Sequence, residues 1–321
     1  MSLNVIIPNY NGRRFLPACL DSLRAQTYRS FFVTVVDNGS DDDSLSLLSA
    51  SYPEVAIIKL SHNRGFSAAA NEGILRAGTP FVMLLNNDTI LKPDCIEQLM
   101  KAMAAGPDIF SAGALILCMK APHCTDTSGD YYSLFGYAFC RGQGLPPIKR
   151  APGQVFSNCG CAVVYRTALL RKTGLFDRRF FAYLEDVDLG FRARRLGFRN
   201  VSCPDAVALH YGSGTTGRRY SPFKVYHSAR NNILLRKKDL TKIQRISHAP
   251  FFLAGTLLKY CYFRRIHLEK YYARGILSGL KERSPLPGKQ TGGVRAFLRT
   301  EPWILYGTFL YIRQLFHRRL S

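Results

Sequence analysis

The sequence predicts an α/β protein: a doubly wound, mostly parallel sheet with helices on both faces, followed by a basic helical region. Three observations carry this expectation. Over roughly the first hundred residues short apolar runs alternate with segments of helical period, every apolar run ends in a polar cluster, and from Ser221 the pattern turns helical and basic. Strands that are apolar throughout and separated by helices belong to parallel sheets buried on both faces. With 321 residues and 47% hydrophobic content there is room for about two units, divided here as 1–220 and 221–321.

In order along the chain, VIIP (5–8) reads as a strand, and FLPACLDSLRAQ (15–26) as a helix with Phe15, Cys19, Leu20 and Leu23 on one face. FFVTVVD (31–37) is a buried strand, DDSLSLLSASY (42–52) a helix opened by acids, and VAIIKL (55–60) a third strand. SAAANEGILRAG (67–78) is a small-residue helix ending at Gly78, FVMLLN (81–86) a fourth strand, and PDCIEQLMKAM (93–103) a helix. Residues 107–157, rich in Gly, Pro and aromatics, read as irregular or antiparallel structure; CAVVYR (161–166) reads as a strand and SPLPGKQTGG (284–293) as a loop between helices.

Charge is placed unevenly. Residues 218–321 hold 22 Lys and Arg against Asp239, Glu269, Glu282 and Glu301, and so carry most of the chain's net +22. Such a surface meets polyanions: nucleic acid, an anionic membrane face or phosphorylated substrates. Its interleaved aromatics, as in WILYGTFLYIRQLFHRRL from Trp303, fit a helix lying in a lipid interface; an ordinary bundle packing the same faces inward is the other reading. No run reaches the roughly 18 apolar residues of a spanning helix. The first strand follows Met1 with no basic and apolar leader ahead of it, so the expected location is cytoplasmic, peripheral on the inner face of the plasma membrane. Nine scattered cysteines without a CxxC pair read as reduced structural thiols.

Ligands of open α/β sheets sit at the carboxyl ends of the strands. There Asp37, in VVDNGSDD, can accept the imide N–H of a uracil or thymine ring. Arg64 and Gly65 precede a helix N-terminus suited to a phosphate or base carbonyl. LLNNDT supplies Asn86, Asn87 and Asp88, enough oxygen ligands for Mg²⁺ or Mn²⁺ that also binds a diphosphate. An imidazole at His210 facing Asp88 would complete a Mn²⁺ site. In FFAYLEDVDLGFRARRLGFR, Asp188 pairs with Arg192 at i, i+4, and less directly with Arg195, which leaves Glu185 or Asp186 free to act as a base. Each signal alone also fits a plain turn, a cap or a structural histidine; their order and spacing together are the specific feature.

In that order and spacing the chain resembles the family 2 inverting glycosyltransferases, which have a nucleotide-sugar-binding GT-A fold, and especially their rhamnosyltransferase and galactofuranosyltransferase-like branch. The resemblance rests on VIIPNYNG, VVDNGSDD, NRGFSAAANEG, LLNNDT, GLFDRRFFAYLEDVDLGFRARRLG and ALHYGSG, over about residues 3–235. It implies Asp37 and Arg64 at the nucleobase with Pro8 and Tyr10 lining its pocket, and Asp88 on the metal at the last position of the family's DXD motif. Asn86 stands at the first position of that motif, where many members have Asp, and His210 matches a metal-binding histidine. Asp186 matches the catalytic base, with Glu185 orienting the acceptor or the base. The implied reaction moves one sugar from a UDP- or dTDP-sugar, dTDP-rhamnose among them, to a hydroxyl of a glycan or polyprenyl-diphosphate-linked acceptor, with Mg²⁺ or Mn²⁺ as cofactor. The Gly-rich GSGTTGRR (212–219) is placed to close over bound donor.

Rival readings are weaker. A processive polysaccharide synthase of the same fold carries a QxxRW motif and spanning helices, and EPWILY, with the only Trp, is not that motif. A nucleic-acid-binding protein leaves the strand-end residues unexplained, so nucleic acid is not expected as a partner. A sugar-nucleotide pyrophosphorylase needs a GxGxR-type loop after the first strand, and PNYNGRR does not supply one.

Overall fold

The computed structural model describes residues 2–147, 152–212, 220–282 and 293–320. The expected alternation is present: β1 (Leu3–Asn9), α1 (Leu16–Arg24), β2 (Phe31–Asp37), α2 (Ser44–Ser51), β3 (Ala56–Lys59), α3 (Phe66–Arg76), β4 (Phe81–Leu85), a short β5 (Thr89–Leu91) and α4 (Cys95–Ala104). Helix α3 stops at Arg76, two residues short of Gly78.

The central sheet runs β10-β12-β6-β11-β4-β1-β2-β3. Strands β3, β2, β1 and β4 are parallel to one another, and β12 is parallel to β6 (Ile109–Cys118). Between β4 and β6 lies β11 (Ala162–Arg166), antiparallel to both, so the sheet is mixed but mostly parallel. Strand β6 fits the reading of 107–157 as irregular or antiparallel in its pairing with β11 and β7; its inner place in the sheet and its parallel pairing with β12 were hidden because Ser, Gly and Ala interrupt its apolar run. The rest of that stretch is antiparallel as expected, with β7 (Ala121–Thr127) on β6, β8 (Asp130–Tyr132) paired with β9 (Ala138–Cys140), and β10 (Gly153–Val155) on β12 (Arg199–His210).

Alternate side chains of the strands feed two cores. Val5, Ile7, Met83 and Leu85 pack under α1, α2 and α4, while Ile6, Val36, Val82 and Leu84 pack under α3, α5 (Thr167–Thr173) and α6 (Glu185–Arg195). This division of one strand's residues between two apolar layers is why the strands read as continuous apolar runs. All nine cysteines are free thiols.

Helix α6 is fixed by its third acid. Asp188 is fully buried; its carboxylate meets Arg192 at 2.7 Å and Lys238, on α7 (Pro222–Asp239), at 2.6 Å. Burial opposes the charge, but Arg192 and Lys238 hold Asp188 below the usual carboxylate range. Arg192 also donates to the carbonyls of Thr173, Gly174 and Leu175. Arg195 does not join this pair as expected; it turns to Asp239, at 3.7 Å, and to the carbonyl of Lys238.

Among the described residues after 220 the chain is mainly helical, with α8 (Lys242–Ser247), α9 (Ala249–Arg265), α10 (Glu269–Lys281) and α11 (Val294–Leu320) following α7. Helix α7 packs on α6 and α10, and α11 on α6 and β8, with Ile304 fully buried. Much apolar surface stays open: Ile246 is 76% exposed, Leu253 67%, and Leu257 and Leu258 63% each. Phe309 and Phe316 of α11 are similarly open. No helix among the described residues is long and apolar enough to cross a membrane.

The difference between a buried and a surface ion pair gives a direct test. Arg192→Met leaves Asp188 short of a partner and three carbonyls unpaired, and is expected to lower unfolding free energy in urea by about 3–5 kcal/mol. Removing Arg24, whose pair with Glu54 lies at the surface, should have a far smaller effect. Equal losses at the two positions would contradict this account.

Candidate active site

Parallel register brings the polar strand ends level. Asn9 pairs with Asp37 across β1 and β2, and Ile6 faces Leu84 across β1 and β4. The buried Asn9 bridges all three ends: its Nδ2 donates to Asp37 at 3.2 Å, and its Oδ1 accepts from Asn87 at 2.7 Å. Asp37 spends its other oxygen on the backbone N–H of Ser40.

Above these ends lies a cavity of about 510 Å³. One wall is Pro8, Tyr10, Asn38, Asn63, Gly65 and Phe66; another is the segment from Phe181 to Val187; Phe223 and Lys224 of α7 close a third. Gly65 has a φ of +84°, and a Cβ there would lie 2.6 Å from the Phe181 carbonyl oxygen, so this approach requires glycine.

Two clusters of charge face the cavity. In the first, Asp88 lies 3.2 Å from His210 Nε2, and His210 Nδ1 lies 2.8 Å from Asp126 of β7. Antiparallel pairing of His210 with Thr89 sets the imidazole beside Asp88. Burial would lower the basicity of His210, but the sulfur of Cys161 and the two carboxylates raise it well above that of an ordinary histidine.

The second cluster is carboxylic. Ligand atoms of Asp130, Cys159 and Asp186 lie within 4.8 Å of one another. Asp186 begins α6 with Glu185, and its oxygens accept N–H bonds from Val187 at 2.8 Å and Gly160 at 3.3 Å. Burial raises all three acids, by different amounts. Glu185 is pushed well up by burial and by the charge of Asp186, and its Oε2 has no partner. Asp130 is pushed up to about 8 by burial and by Asp186. Asp186 is raised by burial too, but its two backbone N–H donors favour the charged form. It is therefore the acid of the three whose surroundings most favour the charged form.

The loop presenting Glu185 and Asp186 is strained. Phe181, Tyr183 and Leu184 have φ of 58°, 71° and 67°, left-handed conformations unusual for residues with side chains. A buried amide helps to hold it: Asn231 Nδ2 of α7 lies 2.7–2.8 Å from the carbonyls of Phe180, Ala182 and Tyr183, its two N–H groups shared among the three.

The family model described as Glycosyl transferase family 2 matches residues 4–174. The chain belongs to this family. As a family 2 glycosyltransferase it is 28% identical, over 244 residues, to the N-acetylglucosaminyl-diphospho-decaprenol L-rhamnosyltransferase of Mycobacterium tuberculosis, covering 67% of this chain and 78% of the relative. It is 26% identical over 225 residues to the O-antigen biosynthesis protein RfbC of Myxococcus xanthus, covering 66% of this chain but 17% of that protein. Among solved structures it resembles the mannosyltransferase of Pyrobaculum calidifontis in complex with GDP-Man and Mn²⁺, with TM-score 0.58, 14% identity and 88% of each chain covered. GalNAc-T7 with UDP, GalNAc and Mn²⁺ gives TM-score 0.65 at 14% identity, covering 89% of this chain and 58% of that one. These likenesses show a shared GT-A fold.

Of the residues singled out in the sequence of this glycosyltransferase, Pro8, Tyr10, Asn86, Asn87, Asp88, Glu185, Asp186 and His210 converge on the one cavity. Asp37 and Arg64 are not among its lining residues. Asp37 is fully buried beneath it, and the Arg64 guanidinium faces Glu72 at 3.4 Å while its backbone N–H bonds Asn38. The loop at 213–219 lies outside the described residues, as do residues 284–292 of the loop at 284–293. Sequence reading missed Asp126, Asp130, Lys224 and Asn231. The first two sit in the stretch without periodicity, Lys224 is hidden in a uniformly basic third, and a helical Asn carries no local signal.

The acid pair sets a pH dependence. Above about pH 8 Asp130 ionises and a second negative charge forms beside Asp186, which repels an anionic donor. Transfer by the wild type is expected to decline through that range, whereas Asp130→Asn, neutral at every pH, keeps its rate. Rate profiles from pH 6 to 10 that decline alike would refute this.

Proposed function

We propose that this glycosyltransferase moves a single sugar, inverting its anomeric configuration, from a UDP- or dTDP-sugar to a hydroxyl of a polyprenyl-diphosphate-linked glycan. The observation that carries the proposal is the placement of Asp186 and the Asp88–His210 pair in one cavity at the strand ends. The relative acting on N-acetylglucosaminyl-diphospho-decaprenol supports the acceptor class, and its L-rhamnosyl specificity favours dTDP-rhamnose as donor.

The chemistry follows from the residues. The ionised Asp186 takes the proton of the acceptor hydroxyl as that oxygen attacks the anomeric carbon, and the bond to the nucleotide diphosphate breaks on the opposite face, its electron pair leaving with the diphosphate. Glu185, with one oxygen unpaired, orients the incoming hydroxyl. The nucleobase rests between Pro8, Tyr10, Asn38 and Asn63, while Asp37 shapes that pocket from beneath through Asn9 and the turn at Ser40. Arg64 serves it through its backbone bond to Asn38. The carboxylate of Asp88 and the imidazole of His210 form a donor set fit for a divalent cation, with Asn86 beside them; the nitrogen ligand favours Mn²⁺ over Mg²⁺. Such a cation, when bound, neutralises charge on the leaving diphosphate. Lys224, which also lines the cavity, adds a positive charge of the chain's own.

The open apolar residues of α8, α9 and α11, with exposed Arg264, Arg265 and Arg313, support peripheral binding to an anionic membrane, where a lipid-linked acceptor resides. The lack of a spanning helix among the described residues favours single transfer over a processive synthase.

Asp186→Asn is expected to bind UDP or dTDP with wild-type affinity, read by thermal shift, while transfer falls by about 10²–10⁴-fold; unchanged turnover would remove Asp186 as the base. Replacing Leu253, Leu257 and Leu258 with Ser is expected to weaken sedimentation with anionic vesicles by at least about 100-fold, since each buried Leu contributes about 1.5–3 kcal/mol. Undiminished sedimentation would place the membrane contact elsewhere.

A further inference from the structure

We propose that Asp126 is a positioning residue for His210: its carboxylate accepts the Nδ1–H of the imidazole and thereby aims Nε2 at the place beside Asp88 where a divalent cation would take its lone pair. The inference rests on the reading of Asp88 and His210 as cation ligands. Three observations carry it. His210 is held at both nitrogens, Nδ1 at 2.8 Å from Asp126 and Nε2 at 3.2 Å from Asp88. Asp126 sits at a β-bulge, where β6 advances one residue from Ile116 to Leu117 while β7 advances two, from Thr127 to Thr125. Bulges of this kind re-aim a side chain, and here the extra residue is directed at the end of β12. Finally, Asp88 and His210 line the cavity but Asp126 does not, so it reaches the site through the histidine.

The physical need is plain. An imidazole that offers one nitrogen to a cation must carry its proton on the other, and without an acceptor there the ring is free to adopt either tautomer and to rotate. Asp126 fixes both choices from a strand 84 residues away.

The test is Mn²⁺ binding to the full chain by electron paramagnetic resonance, with and without UDP. Asp126→Ala is expected to weaken Mn²⁺ by about 10–100-fold, and Asp126→Asn, whose Oδ1 still accepts, to recover most of that loss. Because Asp126 acts through His210, the double variant with His210→Ala should bind no more weakly than His210→Ala alone. Wild-type affinity in Asp126→Ala, or additive losses in the double variant, would overturn the proposal while leaving the metal reading intact. A wild type that binds no Mn²⁺, or an Asp88→Ala variant that binds it equally well, would overturn the metal reading and the proposal with it. If Asp126→Ala does not fold, ¹⁵N spectra of His210 in the wild type with Mg²⁺ and UDP decide: a proton on Nδ1 alone supports the proposal, and any other state overturns it.

Discussion

A charge that cannot leave the interior organises this site. Asp188 is sealed between Arg192 of its own helix and Lys238 of α7, and an unpaired carboxylate there would cost several kcal/mol. Satisfying it ties α6 to α7, and through Arg192 to the carbonyls that follow α5. With the helix fixed in this way, its first two residues can only project into the cavity. Asn231 completes the restraint by holding the left-handed loop that leads into α6.

That rigidity lets neighbouring acids take different roles. Glu185, Asp186 and Asp130 share one poorly hydrated wall, and burial raises all of them. Like charges so close do not ionise together at modest cost, so backbone donors decide which acid carries the charge, and they are aimed at Asp186. Asp88 is separated from this trio and paired with an imidazole instead. The cavity thus has an acid-rich end, suited to accept a proton, and an end where carboxylate and imidazole converge, suited to hold a cation.

The C-terminal helices are more than an appendage. Helix α7 supplies Phe223 and Lys224 to the cavity wall, Asn231 to the loop and Lys238 to the buried pair. The boundary at 220 therefore marks a change of sequence pattern, while the walls of the site draw on both sides of it. Helices α8, α9 and α11 leave large apolar side chains in the open among arginines, a composition that water alone does not favour.

The alternation of apolar strands with helices made the first half of the fold legible, because the strands' period and the buried helix faces are local properties. That polar residues ending each strand would gather in one place was legible for the same reason: register in a parallel sheet brings strand ends level. The i, i+4 pairing of Asp188 with Arg192 was also readable, since one helix contains both. What remained hidden depends on contacts between distant segments. Strand β6 lacks a pattern because small residues interrupt it. The inward burial of Asp37, the turn of Arg64 toward Glu72 and the meeting of Asp130 with Asp186 arise only when separate elements pack. The sequence alone determined the alternating strands and helices of the first half, the polar strand ends and the acid-rich helix start, all set by short-range chemistry. Only the tertiary structure decided which polar groups face the cavity, because that choice is made by packing, burial and hydrogen bonds across tens of residues.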